Sequence, residues 1–283
     1  MNTHPKTAKG SSRLYEVSAA FWFDLLGYGS MLERVNFDPT KEEAQLAIKR
    51  LNDFHDFLAE YSSRYFPIHA INDGAISFRD LSPRARSVTF DFLDRSLNLF
   101  QKFNEYDRNK GFPGARMIIA AGFRVRVKEN DVNSDQHYVR NIKKKIKLGA
   151  YHLQKSKNRP YKTKTYFGVL PQLQANFAFT KAYLVDATGS KGGFGGPNCF
   201  IDLSFFNQDL NNWISFEKII DWQDKGMKSQ FGLFKSSDRE AANKSSHRCV
   251  LDAFEIAEKI SNQDGITNVL KKNTLKENAI LYR

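Results

Sequence analysis

Residues 21–30, FWFDLLGYGS, place one acidic side chain between an apolar run and a turn that contains two glycines. The apolar residues that lead to Asp24 are typical of a buried β-strand. Gly27 and Gly29 mark the point where that strand ends. We therefore predict that Asp24 lies at the end of a strand, at one edge of the folded core.

A second acidic side chain lies in a predicted hairpin. Residues 71–78, INDGAISF, contain Asn72, Asp73 and Gly74 between two apolar segments. Asparagine and glycine tolerate the positive φ angles that a tight hairpin requires. The sequence therefore predicts that Asp73 lies at the tip of a β-hairpin.

Asp24 and Asp73 converge if the first strand lies beside this hairpin. Mg²⁺ and Mn²⁺ prefer oxygen ligands, and Mg²⁺ is usually held by one or two carboxylates, together with water and substrate phosphates. The backbone N–H groups of the glycine turn suit such a phosphate. The pair thus indicates a metal and phosphate site, and the alternative is that both are ordinary turn residues.

The order of the predicted elements indicates the fold class. A strand over residues 14–23 is followed by an amphipathic helix that starts from a capping box at residues 40–43. The hairpin, a second helix after Pro83 and a strand over residues 117–127 complete the series. This order predicts an α+β fold with a ferredoxin-like (split βαβ) antiparallel sheet and helices packed on one face.

The chain is strongly basic, with 283 residues, a formal net charge of +12 and a pI of about 9.5. This charge favours an anionic ligand or partner. Residues 140–147 and 155–164 carry much of it, with tyrosines between and beside them. The runs are typical of a single-stranded nucleic-acid surface, of a source of cations for a triphosphate, or of a solvated face.

The remaining composition indicates a cellular compartment. Cys199 and Cys249 are too few and too isolated for a disulfide framework or a zinc site. The longest apolar runs are far shorter than the ~20 residues of a membrane span, and residues 1–13 lack the apolar core of a signal peptide. We expect a cytoplasmic protein without a membrane partner.

Three motifs of the chain resemble the catalytic domain of the class III nucleotide cyclases. Residues 23–28, FDLLGY, match the family's aromatic-Asp-aliphatic-x-Gly-aromatic run. Residues 71–73, IND, match its strand that ends in Gly-Asp, with Asn in place of Gly. Residues 116–122, RMIIAAG, are similar to its Arg-aliphatic-Gly-aliphatic-His-Thr-Gly strand, from which Ala120 and Ala121 depart. Order and spacing agree over about residues 21–205.

The resemblance implies ligands for metal and phosphate. Asp24, the backbone carbonyl of Leu25 and Asp73 would hold two divalent metal ions, Mn²⁺ or Mg²⁺. The backbone N–H groups of residues 27–29 (Gly27, Tyr28 and Gly29) would bind the β- and γ-phosphates of a nucleoside triphosphate. These roles are expectations that the family resemblance supplies.

The resemblance also implies residues for the ribose, the transferring phosphate and the base. The family uses an Asn and, four residues on, an Arg; the nearest pair here is Asn176 and Lys181, one residue further apart and with Lys as the cation. The alternative is that both are solvent-facing helix residues. His69, four residues before Asp73, stands where purine cyclases carry a Lys or Glu that reads the base, and its alternative is an ordinary strand residue.

The implied activity is the conversion of a nucleoside triphosphate to a 3′,5′-cyclic nucleotide and pyrophosphate by two-metal catalysis, in a head-to-tail homodimer with shared active sites. The departure at His69 makes the chain most similar to the pyrimidine (uridylate or cytidylate) cyclases of bacterial Pycsar antiphage defence, with UTP favoured and CTP next. Their product activates a separate effector, and nucleic acid is then not an expected partner. The alternatives are a purine (adenylate or guanylate) cyclase, or a non-catalytic, basic nucleic-acid-binding protein on the same fold.

The expected organisation has three parts. Residues 1–13 are predicted to be a disordered tail. Residues 14–206 would form the cyclase-like catalytic domain, with a basic insertion near 137–165. Residues 207–283 would be a C-terminal extension that packs on the same domain.

Overall fold

The computed structural model divides the chain into two compact units. One consists of Tyr15–Arg124 and Asn176–Arg283, and the other of Met1–Leu14 and Val125–Ala175. Nearly all residues that the structure describes belong to the first unit. The predicted tail and the basic insertion near 137–165 lie outside the described residues. The residues that the structure describes are 14–126, 173–244, 247–261 and Leu270.

Seven strands and six α-helices lie in the described residues, together with short 3₁₀ turns. The strands are β1 (Leu14–Leu25), β2 (Ile68–Ile71), β3 (Gly74–Asp80), β4 (Ala115–Arg126), β5 (Cys199–Asp202), β6 (Ile214–Asp224) and β7 (Met227–Ser237). The helices are α1 (Tyr28–Glu33), α2 (Glu42–Tyr61), α3 (Arg86–Asn109), α4 (Phe177–Thr188), α5 (Arg239–Lys244) and α6 (Ala253–Ile260).

The strands form one sheet in the order β2-β3-β1-β4-β5-β7-β6. β3 runs antiparallel to both β1 and β2. The end of β1 lies beside the start of β4, since the N–H of Leu26 donates to the carbonyl of Gly114 at 3.1 Å. The order β2-β3-β1-β4 with two crossover helices is the split βαβ arrangement, so the predicted α+β class and ferredoxin-like core are confirmed.

Two details of the predicted sheet are wrong. β5 runs parallel to β4, with Met117 opposite Cys199, so the complete sheet is mixed. Parallel neighbours need a long crossover connection, and α4 lies in that connection. α4 covers the face opposite α2 and α3, because Phe179 and Tyr183 contact Trp22 of β1. Helices therefore pack on both faces of the sheet.

Alternate residues of β1 face opposite sides of the sheet. Phe21 and Phe23 are fully buried against α2 and α3, and the ring of Phe23 lies 5.6 Å from those of Phe54 and Phe103. Burial of each such ring is worth roughly 1.5–3 kcal/mol. Because side chains alternate along a strand, this packing directs Asp24 to the face that α4 covers.

A buried ion pair fixes the segments on either side of the sheet edge. Both carboxylate oxygens of Asp107 accept hydrogen bonds from Arg50, at 3.0 and 2.8 Å. Arg50 also donates to the carbonyls of Leu26 at 2.8 Å and Gly114 at 3.2 Å. Arg50 therefore holds the end of β1 beside the start of β4. Loss of one charge of the pair would lower the free energy of unfolding by about 3–5 kcal/mol.

The local start signals of two helices differ from the prediction. The predicted glycine turn continues into α1: Gly27 has a φ of 76° and its carbonyl accepts the N–H of Met31 at 3.1 Å. The predicted capping box at residues 40–43 does not form. Lys41 precedes α2 without a side-chain cap, and Thr40 instead bonds to Asp38 at 2.7 Å.

The C-terminal elements extend the same sheet. β6 and β7 form an antiparallel hairpin that joins the sheet through β5. α6 begins with a capping box of Asp252 and Glu255, and Glu255 also accepts from Arg86 of α3 at 3.1 Å. None of the described helices combines the length and the apolar character that crossing a membrane requires.

Candidate metal and nucleotide site

The structure brings Asp24 and Asp73 together at one edge of the sheet. Asp24 lies opposite Gly74 in the β1–β3 register, and the N–H of Leu25 donates to the carbonyl of Asp73 at 2.9 Å. Asp73 occupies the two-residue tip between β2 and β3, next to Asn72, which has a φ of 54°. The end of β1 and the hairpin tip are thus side by side.

Among the described residues, the charges that act on Asp24 are more negative than positive. Burial raises the pKa of Asp24, and the charges of Asp186 and Asp73 raise it further, whereas Arg116 lowers it. The net result is a pKa of about 6 instead of 3.8. The nearest guanidinium nitrogen of Arg116 is 3.8 Å from the Asp24 carboxylate. Among the described residues, two carboxylates and one cation thus act on the Asp24 carboxylate, an arrangement that favours a further positive charge.

Arg116 and Asp186 are residues of this edge that the sequence interpretation missed as site residues. Arg116 donates through Nε to Asp186 at 2.5 Å and through Nη1 to the carbonyl of Phe194 at 3.0 Å. Arg116 was visible as the first residue of the family-like strand 116–122. Asp186 gave no signal, because its place depends on how α4 crosses the sheet.

The donor set fits a divalent cation. The Asp24 side chain is 26% exposed and Asp73 is half-buried, so both carboxylates are reachable. Leu25 lies between them in the chain and has a buried side chain. In the described part of the chain, no group of three or more His, Cys, Asp and Glu side chains is arranged to hold a metal. Two carboxylates are the number that Mg²⁺ commonly uses.

The start of α1 lies directly after Asp24 and contains Gly27, Tyr28 and Gly29. The first N–H groups of a helix have no partner within the helix, so they suit an anion. Gly27 has a φ of 76°, which glycine adopts without strain. Burial and the charge of Asp73 raise the pKa of Tyr28, and this phenol therefore belongs to the same edge.

His69 lies on the same face of the sheet as Asp24. In the strand register His69 is opposite Ile76, which is itself opposite Trp22. The imidazole is half-buried and stacks flat on Phe78, with ring centres 6.0 Å apart and an interplanar angle of 5°. His69 therefore presents a fixed aromatic ring on the α4 face.

Asn176 and Lys181 are both buried, so the interpretation of them as solvent-facing residues is wrong. Asn176 caps α4 by accepting the N–H of Phe179 at 3.1 Å. The ammonium of Lys181 lies 2.9 Å from Asp202, which is fully buried. Burial alone would raise the pKa of Asp202, but the charge of Lys181 and hydrogen bonds from Lys181 and Ser204 hold it below its ordinary value.

One chain does not bring Asn176 to the two acids. Asn176 bridges to Arg124, near the end of β4, whereas Arg116 beside Asp24 lies near its start. Arg116 and Arg124 are eight residues apart, which corresponds to about 26 Å along a strand. Asn176 and Asp24 thus lie towards opposite ends of the same sheet face.

A cavity of about 1090 Å³ lies beside the Lys181–Asp202 pair, between α4, β5 and the β6–β7 hairpin. Asp202 also accepts from the hydroxyl of Ser229 at 2.9 Å, a partner that the sequence interpretation did not identify. Aromatic rings beside ammonium groups suit a nucleotide-like ligand. The described lining residues exclude Asp24 and Asp73 and include Phe177, Lys181, Asp202, Trp222, Lys225 and Lys228.

α4 lies directly on the backbone of β4. A Cβ atom at Gly122 would lie 2.4 Å from the backbone nitrogen of Ala178 and 2.8 Å from its Cα, which is closer than real contacts allow. Glycine is therefore required for this approach. The height of α4 above the sheet is set by main-chain contact.

No family model matches the chain, and no curated protein matches it significantly. Among solved structures it is similar to the guanylyl cyclase Cya2, with 13% identity, a TM-score of 0.46, and coverage of 80% of this chain and 95% of that chain. It is also similar to the catalytic core of a rhodopsin-guanylyl cyclase with converted specificity in complex with ATPαS (10%, TM-score 0.44, coverage 79% and 98%). A third is the guanylate cyclase domain of RhGC from Catenaria anguillulae in complex with GTP (11%, TM-score 0.41, coverage 79% and 98%). At these identities, function has to be argued from the residues of the chain itself.

Proposed function

We propose that this chain is a nucleotide cyclase that converts a nucleoside triphosphate to a 3′,5′-cyclic nucleotide and pyrophosphate. The observation that carries the proposal is that Asp24 lies beside Asp73 and Asp186, with Arg116 as the one cation that acts on it among the described residues. This edge adjoins the first N–H groups of α1, which have no partner within the helix. An acid pair beside such groups suits a hard cation together with a phosphate, and a metal-bound triphosphate supplies both.

The metal ligands would be the carboxylates of Asp24 and Asp73 and the backbone carbonyl of Leu25. They would hold two divalent ions, Mn²⁺ or Mg²⁺. When bound, such ions lower the pKa of the ribose 3′-hydroxyl and neutralise the triphosphate. The chain sets the positions of the two acids, because the main-chain hydrogen bond from Leu25 to Asp73 fixes them relative to each other.

The phosphates would bind at the turn into α1. The N–H groups of Gly27, Tyr28 and Gly29 would hold the β- and γ-phosphates, and Arg116 would supply positive charge at the same edge. With the triphosphate held there, the ribose 3′ oxygen forms a bond to the α-phosphorus as the bond to pyrophosphate breaks. The hydroxyl proton leaves to solvent.

A second copy of the chain would complete the site in a head-to-tail homodimer. Asn176 lies towards the opposite end of the sheet face from Asp24, and head-to-tail pairing would bring Asn176 and Lys181 to the acids of the partner. Large apolar side chains on this face support such a pairing, since Phe177 and Tyr183 are each 49% exposed. The resulting dimer would have two shared sites.

Lys181 would act as the cation beside the transferring phosphate, and Asn176 would orient the ribose. A lysine ammonium has three donor hydrogens, and the bond to Asp202 uses one of them. The cavity beside Lys181 gives the others access to a ligand. The nucleotide would therefore lie between this cavity in one subunit and the acids of the other.

The favoured substrate is a pyrimidine nucleotide, UTP first and CTP next. His69 presents an imidazole stacked on Phe78 at the place where the family resemblance expects an ammonium or carboxylate that reads a purine. The cyclic product would be a second messenger that activates a separate effector in antiphage defence. Purine cyclisation is the alternative within the same reaction.

The test is incubation of the pure protein with each of ATP, GTP, CTP and UTP plus Mn²⁺, with pyrophosphate and cyclic products resolved by mass spectrometry. Asp73→Ala is the test variant. Asp56→Ala, at an exposed position of α2, is its matched control. We expect one nucleotide to be cyclised by the wild type and by Asp56→Ala, and none by Asp73→Ala.

Two other outcomes change the proposal. A cyclic purine product would replace the pyrimidine preference and keep the reaction. No product from any nucleotide, with salt-dependent binding of single-stranded RNA that survives loss of Asp24 and Asp73, would contradict the cyclase and support the nucleic-acid-binding alternative.

A further inference from the structure

We infer that His55 and Asn72 are positioning residues that hold the carboxylate of Asp73 ready for a divalent metal ion; the inference rests on the proposed function. Neither residue belongs to the predicted ligand set. Asn72 is part of the hairpin tip and His55 contacts it, each through a hydrogen bond that brings no lysine or arginine charge to Asp73. They would order the acid without cancelling its charge.

The backbone of the hairpin tip is anchored on two sides. On one side, the N–H of Leu25 donates to the carbonyl of Asp73 at 2.9 Å, which ties the tip to the end of β1. On the other side, Nε2 of His55 lies 2.8 Å from the carbonyl of Asn72. A carbonyl can only accept, so His55 must donate and carries its proton on Nε2. This bond ties the tip to α2.

The side chain of Asp73 is oriented by its neighbour. The amide Nδ2 of Asn72 donates to Oδ1 of Asp73 at 3.0 Å. Among the described residues, no hydrogen bond reaches the other oxygen, Oδ2. Asn72 therefore restrains one carboxylate oxygen and leaves the second one open.

The conformation of Asn72 depends on this anchoring. Its φ of 54° lies in the left-handed region, which costs most residues free energy and asparagine less. The hydrogen bond that His55 donates stabilises this conformation, because it can form only when the Asn72 carbonyl points towards α2. The helix, the strained residue and the acid therefore form one connected support.

Amide and imidazole donors suit this place better than a lysine or an arginine does. Asp73 and Asp24 already repel each other, since the charge of Asp73 raises the pKa of Asp24. A lysine or arginine on Asp73 would relieve that repulsion and compete with a metal ion. Hydrogen bonds from His55 and Asn72 restrict the motion of Asp73 and keep its charge available.

The test measures Mn²⁺ binding directly and without nucleotide. The metal-free full chain is titrated with Mn²⁺, and the electron paramagnetic resonance signal reports the Mn²⁺ that stays free. His55→Phe keeps an aromatic ring and removes the donor. We expect about tenfold weaker Mn²⁺ binding, as for other residues that support metal ligands. His55→Gln, whose amide can donate, should restore most of the affinity, and Asn52→Ala, exposed on the same helix, should bind like the wild type.

Asn72→Gly tests the second half of the support. Glycine adopts the positive φ without strain, so the hairpin should form, but the donor to Asp73 is lost. We expect several-fold weaker Mn²⁺ binding with an unchanged melting temperature. A smaller loss than in His55→Phe would still support the inference, because the main-chain anchor remains.

The outcomes separate this inference from the proposed function. Wild-type protein that binds no more Mn²⁺ than Asp73→Ala does contradicts the metal site itself. If Asp73→Ala loses Mn²⁺ binding but His55→Phe and Asn72→Gly retain it, the site stands and the positioning role is overturned. A lower melting temperature of His55→Phe with unchanged Mn²⁺ affinity would likewise assign His55 a structural role only.

Discussion

Asp24 and Asp202 are acids on the same face of one sheet, and their pKa values are shifted in opposite directions. Asp24 is only partly buried, yet burial and two neighbouring carboxylates raise its pKa to about 6. Asp202 is fully buried, yet Lys181 and several hydrogen bonds outweigh burial and lower its pKa. The degree of burial therefore does not decide the direction. The balance of charge around each carboxylate decides it.

The two acids differ in whether the described residues around them balance their charge. At Asp202 the charge is balanced within the chain, and oxygen atoms of the carboxylate accept from Lys181, Ser229 and Ser204. At Asp24 the described residues leave the negative charge unbalanced, and a bound cation would balance it. Substitutions at the two acids should therefore affect different properties.

The largest effect is expected for Asp24→Asn. Loss of a metal ligand should lower cyclase activity by about 10³-fold, equivalent to several kcal/mol of transition-state stabilisation. The free energy of unfolding in metal-free buffer should stay constant or rise, since the repulsion from Asp73 and Asp186 is removed. Nucleotide turnover and urea denaturation measure the two properties. A marked loss of stability in Asp24→Asn would show that Asp24, like Asp202, stabilises the fold, and would contradict the comparison.

Asp202→Asn should produce the opposite pattern in stability. The variant leaves Lys181 buried without its counter-ion, which should lower the free energy of unfolding by about 3–5 kcal/mol. Asp221→Asn, at an exposed position on the wall of the same cavity, is the matched control and should change stability by less than about 1 kcal/mol. Equal urea midpoints for both variants would show that the buried pair is not structural.

A divalent metal ion should stabilise the folded protein only when Asp24 is present. A ligand that binds only the folded state adds about 2.7 kcal/mol at a concentration of 100 times its dissociation constant. Mn²⁺ should therefore raise the melting temperature of the wild type and of Asp221→Asn, and removal by EDTA should reverse the shift. Asp24→Asn should show no shift. A metal-induced shift that survives in Asp24→Asn would place the cation elsewhere.

The smallest effect concerns the pH dependence of the Asp202 variant. Because the pKa of Asp202 is lowered in the folded state, its carboxylate contributes stability that is fully present above the ordinary value of 3.8. That contribution is lost as the pH falls below about 4, towards the folded pKa. The stability gap between wild type and Asp202→Asn should narrow over that window in urea titrations at pH 6, 4 and 3. A constant gap would argue against an ionised Asp202.

Local patterns were sufficient to predict the core of the fold. The apolar run before Asp24 and the Asn-Asp-Gly turn are signals within a few residues, and they gave β1, the β2–β3 hairpin and the approach of Asp24 to Asp73. α1 was missed because a six-residue helix that follows glycine has almost no periodic pattern. The parallel β4–β5 pair and the position of α4 depend on a long connection whose path local patterns do not determine.

The electrostatic partners were harder to predict than the acids. Lys181 and Asp202 are 21 residues apart and lie on a helix and a strand, so no spacing rule joins them. Arg116 and Asp186 are 70 residues apart and meet only because α4 crosses the start of β4. Isolated charges at such distances are paired by the tertiary fold. The sequence could nominate Lys181 as a functional cation, but it contained no sign of the counter-ion.

The close contact of α4 with Gly122 has a consequence for how this site can change in evolution. Since main-chain contact sets the height of the helix, the side chains on its outer surface do not hold it in place. Exposed positions such as Phe177 can therefore vary without displacing the helix. Selection for a new nucleobase could act on them while the scaffold stays constant. Gly122 thus allows the outer surface of α4 to change at little risk to the fold.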